Sequence, residues 1–322
     1  MLIRGLAWQL VKRLHSHSGL EIVTPLIVRN LALQYPKSSL NSGPLLIYLT
    51  ARSSVRGEEA LKTLLTDPQL QAAKALKQDG GLTTITFHSL DIIDENSISS
   101  FKNLIEKEHP DGIDILVNNA GIFMMGLGKI TAGSQFFMIL TGDIDINIVK
   151  TVLRTNYYGT LAMTTEFLPL IRPNGRLVNV ASSDGQLMPY SESLKQTFID
   201  ASKTSIEACT ALMEKFTADV LTEREKPEGW PSVEYAYAVS KAGVIASTKV
   251  IAMEAEKNEG KVLINACCPG FVNTDMTQGH GHMTVDEGAN TPVLLALGDI
   301  GGTTGGFWKD GAEIEWRPST GN

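Results

Sequence analysis

The feature that most constrains the fold is an alternation of short apolar runs with helical patterns along the 322 residues. Residues 45–49 form a continuous apolar run after Gly43 and Pro44, which is typical of a strand buried in a parallel sheet. Further strands are predicted at 83–90, 113–117, 176–180, 262–267 and 306–309, and helices at 57–77, 95–108, 146–171, 237–258 and 287–297. The alternation predicts an α/β fold with a doubly wound parallel sheet, whose ligand crevice lies at the carboxyl ends of the strands.

Two residues of this pattern carry acid–base chemistry. Tyr237 and Lys241 stand four positions apart in the string YAVSK, so they share one face of a helix. The lysine ammonium can stabilise the tyrosine phenolate and hold a cofactor hydroxyl, while the phenol passes a proton to a substrate oxygen. Ser182 lies upstream in NVASSDG, and Asn156 lies further upstream in RTNYYGT. This order of four residues predicts a catalytic site for the reduction of a carbonyl group.

Three further strings accompany these residues in a fixed order. They are DILVNNAG at 114–121, GRLVNVAS at 175–182 and NACCPGFVNTDM at 265–276. Together with YAVSK they resemble the short-chain dehydrogenase/reductase family, and most closely its NADPH-dependent carbonyl reductase branch. The resemblance covers about residues 26–316 and implies a Rossmann-like fold. It also implies the reduction of an aldehyde, ketone or quinone to an alcohol by hydride transfer from NADPH.

The resemblance implies a role for each of the four residues. Tyr237 is the proton donor in carbonyl reduction, and Lys241 binds the ribose hydroxyls of the cofactor. Ser182 hydrogen-bonds the substrate oxygen where charge develops, with Ser183 as the rival for that position. Asn156 is unfavourable by propensity in the middle of a predicted helix, which suits a local kink that holds a water of a proton relay. The alternative for Asn156 is a side chain that faces solvent.

The residue at the end of the strand at 45–50, the second strand by the resemblance, selects the cofactor. Arg52 takes that place, Arg56 follows one helical turn later, and no acidic residue stands there. Arginine pairs bidentately with phosphate, so the sequence favours NADP(H) over NAD(H).

The remaining cofactor contacts are implied by the resemblance alone. Asp91 would accept a hydrogen bond from the adenine amine or cap the helix that follows it. Asn119 would close the fourth strand near the adenosine. The loop after the sixth strand would contact the nicotinamide amide and the phosphates through Val272, Asn273 and Thr274.

Two segments exceed the lengths that the resemblance predicts. Tyr237 follows Ser182 by 55 positions, and a helical insertion at about 187–231 accounts for the excess. Residues 191–223 within it are polar enough to lie on the surface. The resemblance implies that the insertion covers a tetramer-forming face, so we expect a monomer; the alternative is a simple surface excursion. The segment 124–143 is apolar without a clear period, and an active-site flap and a retained intron are both open.

The amino-terminal part departs from the family pattern. The first strand and its glycine-rich turn, TGxxxGxG, are missing from their place, since Gly5 and Gly19 are the only glycines before Gly43. That turn needs glycine for close approach of backbone amides to the pyrophosphate. Either IRGLAWQLVKRL is the end of such a turn with its helix, or TPLIVRNLALQYP is the first helix; we favour the second.

The domain prediction is therefore an atypical segment at 1–25 and a single reductase domain at 26–322. The alternative function is a non-catalytic or cofactor-binding-defective relative, either a pseudoenzyme or the product of an aberrant gene model. Residues 1–14 form a basic amphipathic pattern, so a mitochondrial presequence is the alternative to a cytoplasmic location.

Composition excludes several classes of function. The net charge of −7 without a basic cluster argues against nucleic acid and against an anionic membrane surface as partners. Three cysteines provide neither a disulfide framework nor a metal-ligand spacing, which favours a reducing compartment. The sequence contains no run of 18 or more apolar residues, so no membrane span is predicted. A small-molecule carbonyl substrate is the expected partner.

Overall fold

The structure, a computed structural model, describes residues 23–123, 145–231, 235–258, 261–274, 276–277 and 279–317. The strands in these residues are β1 (Leu45–Ala51), β2 (Thr83–Ser89), β3 (Ile113–Asn118), β4 (Ile171–Val180), β5 (Leu263–Cys267), β6 (Phe307–Lys309) and β7 (Ala312–Glu313). The α-helices are α1 (Val23–Gln34), α2 (Ser54–Leu65), α3 (Pro68–Ala72), α4 (Glu95–Glu108), α5 (Ile146–Leu153), α6 (Thr160–Phe167), α7 (Glu192–Ala201), α8 (Ile206–Leu221), α9 (Glu225–Glu228), α10 (Tyr235–Lys257) and α11 (Val285–Leu297).

The strands pair almost entirely in parallel. β1 pairs with β2, and β3, β4, β5 and β6 pair in that order, all parallel, while β7 pairs antiparallel with β6. The register aligns the strand ends, since Asn118 faces Asn179 and Val180 faces Cys267. The predicted α/β fold with a mostly parallel sheet is confirmed. The hairpin that β6 forms with β7 was not predicted.

Helices cover both faces of the strands. On one face α1, α2 and α11 share an apolar cluster with Leu49 of β1 and Val117 of β3. On the other face α4, α6 and α10 share a cluster with Tyr48 of β1 and Leu116 of β3. Because successive side chains of a strand point to opposite faces, each strand contributes to both layers. The arrangement is doubly wound, as predicted.

Among the described residues no strand pairs with both β1 and β3 to join them in one sheet. The described strands therefore form a two-stranded and a five-stranded sheet. Each of the two apolar clusters nevertheless contains side chains from both sheets. In a right-handed parallel crossover, a strand that precedes α1 in the chain would lie beside β1. The interruption therefore falls where the sequence predicts the first strand to be missing or replaced.

The helix α1 corresponds to the second of the two predicted registers, TPLIVRNLALQYP. Ile27, Val28 and Leu31 are buried against α11 and β1, at the spacing of one helix face. Arg29 on the same helix is buried and forms ion pairs with Asp67 and Asp286. A 3₁₀ turn at Tyr35–Lys37 then ends the helix ahead of β1. Residues 1–22, which include the other predicted register, IRGLAWQLVKRL, lie outside the described residues.

Two of the predicted helices are interrupted. The pattern at 57–77 breaks because Asp67 accepts hydrogen bonds from the backbone of Gln69 and Leu70 and so caps a new helix that begins at Pro68. The pattern at 146–171 contains a π-helix at Arg154–Gly159, and its last residue, Ile171, begins β4 instead.

The predicted helical insertion contains α7, α8 and α9. Its expected polar surface character is only half correct, because α8 buries Cys209, Met213 and Phe216 against α5 and α10. A Cβ atom on Gly243 of α10 would lie 2.8 Å from the Met213 sulfur, so the two helices are in close contact. Among the described residues no helix is long and apolar enough to span a membrane.

Candidate active site

The candidate site lies where β3, β4 and β5 end. The chain after β3 carries Asn119 to Gly121, the chain after β4 carries Ser182, and the first turns of α10 carry Tyr237 and Lys241. The carboxyl ends of neighbouring parallel strands meet at one edge of a sheet. Two of the predicted catalytic residues contact this edge directly, since Lys241 bonds Val180 at the end of β4 and Asn156 bonds Ile122 after β3.

Lys241 is a buried ammonium, 3% exposed, and its Nζ donates a hydrogen bond to the Val180 carbonyl at 2.8 Å. Burial lowers the pKa of Lys241 from 10.5 to about 8, because removal from water disfavours the charged form. The charge of Asp184 acts in the opposite direction. A Cβ atom on Gly121 would lie 3.2 Å from Nζ, so the glycine leaves room beside the ammonium.

Asn156 lies inside the π-helix and is fully buried. Its Oδ1 accepts a hydrogen bond from Ile122 N at 2.7 Å, and its Nδ2 donates to Ile122 O at 2.9 Å and to Ser240 Oγ at 3.0 Å. The π-helix is the local irregularity that the sequence predicts, and π-helical turns occur frequently at functional sites. The alternative of a solvent-facing asparagine is wrong.

Ser240 links this asparagine to the proposed proton donor. Its hydroxyl donates to the Tyr237 carbonyl at 2.6 Å while it accepts from Asn156. The Tyr237 side chain is partly buried, with the Lys241 Nζ 5.6 Å from its ring centroid and the Phe123 ring packed edge-on at 5.2 Å. Sequence analysis missed Ser240, although it lies inside YAVSK on the turn between Tyr237 and Lys241.

Ser182 lies two residues after β4 and is the N-cap of a 3₁₀ turn at Ser183–Gly185. Its side chain is mostly buried, and Oγ accepts a hydrogen bond from Asp184 N at 3.2 Å. Its rival Ser183 is half-buried on the turn itself. Gly185 brings this turn into contact with α10, because a Cβ atom there would lie 2.7 Å from the Lys241 carbonyl carbon.

Buried polar side chains tie the strand ends to the helices behind them. Asn118 Nδ2 donates to Thr164 Oγ1 at 3.0 Å and to Asn179 Oδ1 at 2.9 Å, and Asn179 Nδ2 donates to Thr248 Oγ1 at 2.9 Å. The network joins β3, β4, α6 and α10, so it holds the strand ends next to the site in place. The asparagines stand in the strings LVNNAG and LVNVAS, but sequence analysis gave them no role.

The predicted cofactor residues at the second strand lie at the end of β1. Arg52 is exposed and Arg56 is half-buried in the first turn of α2, whose cap is Ser53. Of the two arginines, Arg52 directly follows β1 and is the more exposed.

Asp91 follows β2 and is half-buried, with Oδ1 accepting a hydrogen bond from Ile93 N at 3.2 Å. It is not the cap of α4. That residue is Asp94, whose Oδ1 accepts from Asn96 N at 3.0 Å, so the capping alternative for Asp91 is wrong. Asn119, directly after β3, is also half-buried.

The three predicted residues after β5 form a loop stabilised from within. Val272 and Thr274 are buried and Asn273 is exposed. Asn273 N donates to Met283 O at 2.8 Å, and the Thr277 hydroxyl donates to Val272 O at 2.7 Å and accepts from Thr274 N at 3.0 Å. The backbone amides of Asn273 and Thr274 are thus engaged inside the loop.

The described residues fit one end of a dinucleotide better than its middle. Lys241 uses one of its three N–H donors on Val180 and has the side-chain-free Gly121 beside it, which suits ribose hydroxyls. The two arginines at the end of β1 suit a 2′-phosphate. Among the described residues ahead of β1 there is no TGxxxGxG turn, and the sequence has no glycine between Gly19 and Gly43 that could form one. The pyrophosphate cradle of such folds is therefore not provided by this part of the chain.

Comparison with known proteins points to one family. A family model described as short chain dehydrogenase matches residues 54–219 and 229–284. Carbonyl reductase (NADPH) 1 of Bos taurus is 38% identical over 276 residues, 84% of this chain and 88% of that protein. Carbonyl reductase (NADPH) 3 of Mus musculus is 38% identical over 255 residues, 78% of this chain and 81% of that protein. Among solved structures, salutaridine reductase from Papaver somniferum has a TM-score of 0.72 at 25% identity and covers 95% of this chain and 99% of its own.

Proposed function

The chain belongs to the short-chain dehydrogenase family, and on that premise we propose that it reduces an aldehyde, ketone or quinone with hydride from NADPH. The observation that carries the proposal is the convergence of Tyr237, Lys241, Asn156 and Ser182 at the carboxyl edge of the sheet. Relatives at 38% identity that are named NADPH carbonyl reductases support the choice of substrate class and cofactor.

In the proposed reaction the bound dinucleotide supplies the hydride, and residues of this chain manage charge and protons. The Tyr237 hydroxyl donates a proton to the substrate oxygen. The Ser182 hydroxyl donates a hydrogen bond to the same oxygen, where negative charge develops. Because the pKa of Lys241 is about 8, the ammonium remains mostly charged at pH 7 and stabilises the phenolate that proton transfer leaves behind.

Asn156 supports this site in two ways in the proposal. It fixes the Tyr237 turn through Ser240 and fixes Ile122 on the opposite wall. The π-helix around it changes the backbone hydrogen-bonding pattern of that turn. We assign to this turn the water of the proton relay.

The remaining assignments are those that the family resemblance implies. Arg52 and Arg56 bind the 2′-phosphate, Asp91 and Asn119 lie along the adenosine, and the Val272–Asn273–Thr274 loop lies along the nicotinamide. Since α8 covers α5 and α10 within one chain, we propose a monomer with a single reductase domain at 26–322. We place it in the cytoplasm; the mitochondrial alternative depends on residues 1–14, outside the described part.

A second candidate function is a relative that cannot bind the cofactor. The observation in its favour is the missing glycine-rich turn together with the interrupted sheet. NADPH binding, measured by the fluorescence of the nucleotide, separates the two: saturable binding with turnover supports the reductase, and no binding supports the alternative.

The direct test of the reductase is Tyr237→Phe. The change removes a proton donor and little else, so turnover should fall by at least about 100-fold while NADPH affinity stays nearly unchanged. Ser182→Ala should lower turnover more than Ser183→Ala does. A Tyr237→Phe protein with near-parental turnover would refute the catalytic assignment.

A further inference from the structure

The carboxyl-terminal segment 314–317, here called the strap, crosses the turn that follows Ser182. The Trp316 indole N–H donates a hydrogen bond to Gly185 O at 2.8 Å, and the Trp316 carbonyl accepts one from Leu187 N at 3.1 Å. The Gln186 side-chain amide donates to Glu315 O at 2.9 Å. Each of the residues 185–187 is therefore bonded to the strap.

Gly185 is enclosed between the strap and the catalytic helix. A Cβ atom on Gly185 would lie 2.7–2.9 Å from backbone atoms of Lys241 and Ala242. Such separations are below ordinary van der Waals contact, so only glycine allows this approach. Through Gly185 the Ser182 turn is therefore both hydrogen-bonded to the strap and packed against α10 at the position of Lys241.

The strap is itself anchored at both ends. Ile314 N donates to Phe307 O of β6 at 2.7 Å. At the other end, Arg317 pairs with Glu192 at 2.7 Å, and Glu192 begins α7 of the insertion. The Phe198 ring of α7 packs against the Trp316 ring, with centroids 6.1 Å apart. The insertion therefore contacts the strap through Glu192 and Phe198.

From these contacts we propose that Trp316 is a positioning residue, which fixes the Ser182 turn against the helix that carries Tyr237 and Lys241. The proposal rests on the proposed function, because it concerns the placement of the Ser182 hydroxyl relative to the Tyr237 hydroxyl. Both groups must meet one substrate oxygen, and the strength of such hydrogen bonds falls steeply with distance and angle. The strap sets that placement without touching the reacting atoms.

The test is Trp316→Phe, which keeps one aromatic ring but removes the N–H donor together with part of the buried indole. We expect kcat to fall by about tenfold, because the Ser182 turn is held less firmly, with the KM for NADPH unchanged. Trp308→Phe is the matched control for the ring change, since the Trp308 indole N–H has no hydrogen-bond partner among the described residues. Trp230→Phe is the control for a lost indole hydrogen bond elsewhere, since Trp230 Nε1 donates to Asp219 at 2.8 Å. Neither control should change kcat.

A double-mutant cycle separates positioning from mere stabilisation. If Trp316 acts through Ser182, Trp316→Phe should lower kcat in the parent and have no further effect in Ser182→Ala. Equal fold-losses in both backgrounds would overturn the proposal, and so would a loss of kcat as large in Trp230→Phe. Should Trp316→Phe fail to fold, Gln186→Ala removes the hydrogen bond from the Gln186 side chain to Glu315 O. It should give a smaller loss of kcat with the same dependence on Ser182.

A second readout does not depend on turnover. Trp316→Phe should accelerate amide hydrogen exchange at 185–187, and Trp308→Phe should not. If the parent has no reductase activity but Trp316→Phe still accelerates exchange at 185–187, the proposed function is refuted and the positioning role of the strap stands. Unchanged exchange at 185–187 in Trp316→Phe would refute the positioning role of the strap, whatever the activity of the parent.

Discussion

At the scale of single residues, the site consists of polar groups placed where burial is costly. Lys241 carries a charge at 3% exposure with a carbonyl as its hydrogen-bond partner, and Asn156 is fully buried inside a distorted helix. Burial of a charge without a directly bonded counter-ion destabilises the folded state. The site therefore costs stability that the rest of the fold must supply.

Lys241→Met should make the cofactor-free protein more stable at pH 7 while it abolishes turnover. The shift of the pKa from 10.5 to about 8 corresponds to at most about 3 kcal/mol of unfolding free energy. Urea unfolding at pH 7 measures it. Lys249→Met is the matched control, because burial also lowers the pKa of Lys249. Its ammonium donates a hydrogen bond to Gly305 O at 2.8 Å, and neither residue belongs to the candidate site. It should leave turnover unchanged.

The same shift predicts the pH dependence of that difference. The folded pKa of Lys241 lies below the unfolded one, so the unfolded chain binds more protons between about pH 8 and pH 10.5. The penalty for burying the ammonium is complete below pH 8 and is lost as the pH rises through this window. The stability gain of Lys241→Met should therefore shrink between pH 8 and pH 10.5, and a gain independent of pH would contradict the assignment.

The sequence identified Tyr237 and Lys241 because residues at i and i+4 share a helix face, and it identified Ser182 and Asn156 through the resemblance of their motifs to those of the family. It could not identify the residues that position them, since those contacts are distant in the chain. Asn156 and Ser240 are 84 positions apart, and Trp316 and Gly185 are 131 apart. Contacts of this kind depend on the completed fold, which no local pattern specifies.

At the scale of secondary-structure elements, strand ends and helix surfaces determine what the site can bind. The end of β1 presents Arg52 and Arg56, and the face of α5 and α10 is covered by α8. The strands were predictable because buried parallel strands are continuous apolar runs. The helix breaks at Asp67 and at the π-helix were less so, since capping and π-turns depend on side-chain hydrogen bonds as well as on periodicity.

Arg52→Glu should remove the preference for NADPH over NADH. A carboxylate at the end of β1 would repel the 2′-phosphate and accept a hydrogen bond from the ribose hydroxyl instead. Titration of parent and variant with both nucleotides measures the ratio of affinities. Equal affinity of the parent for NADPH and NADH would contradict the assignment of Arg52.

The docking of α8 predicts a monomer in solution. Size-exclusion chromatography with light scattering should give the mass of one chain, and a stable tetramer would contradict the role of the insertion.

Met213→Arg should lower the unfolding free energy by about 3 kcal/mol, because it places a charge in the buried α8–α10 contact. Leu221→Arg on the same helix, where the side chain is 57% exposed, should have little effect.

At the scale of the whole molecule, two sheets share two helical layers around one interruption. The sequence predicted the position of this interruption, because the missing glycine-rich turn and the first strand belong to one unit of the fold. What the interruption does to cofactor binding depends on backbone amides that a sequence pattern does not place.

NADPH should bind this chain much more weakly than a chimera in which residues 1–25 are replaced by a strand and a TGxxxGxG turn. Hydrogen bonds to charged oxygens contribute about 1.5–3 kcal/mol each, so two such bonds change the affinity by at least about 100-fold. Fluorescence titration of both proteins measures the difference. Equal affinities would show that the glycine-rich turn is not needed here.

The most direct measurement follows deuterium from NADPH, labelled at C4 of the nicotinamide, into the alcohol product. The unaltered chain, at saturating nucleotide with a panel of aldehydes and ketones, should place the label on the carbinol carbon of at least one product. Tyr237→Phe should form at least about 100-fold less labelled alcohol over the same time. No labelled alcohol from the unaltered chain under saturation, or equal labelling by both proteins, would contradict the account.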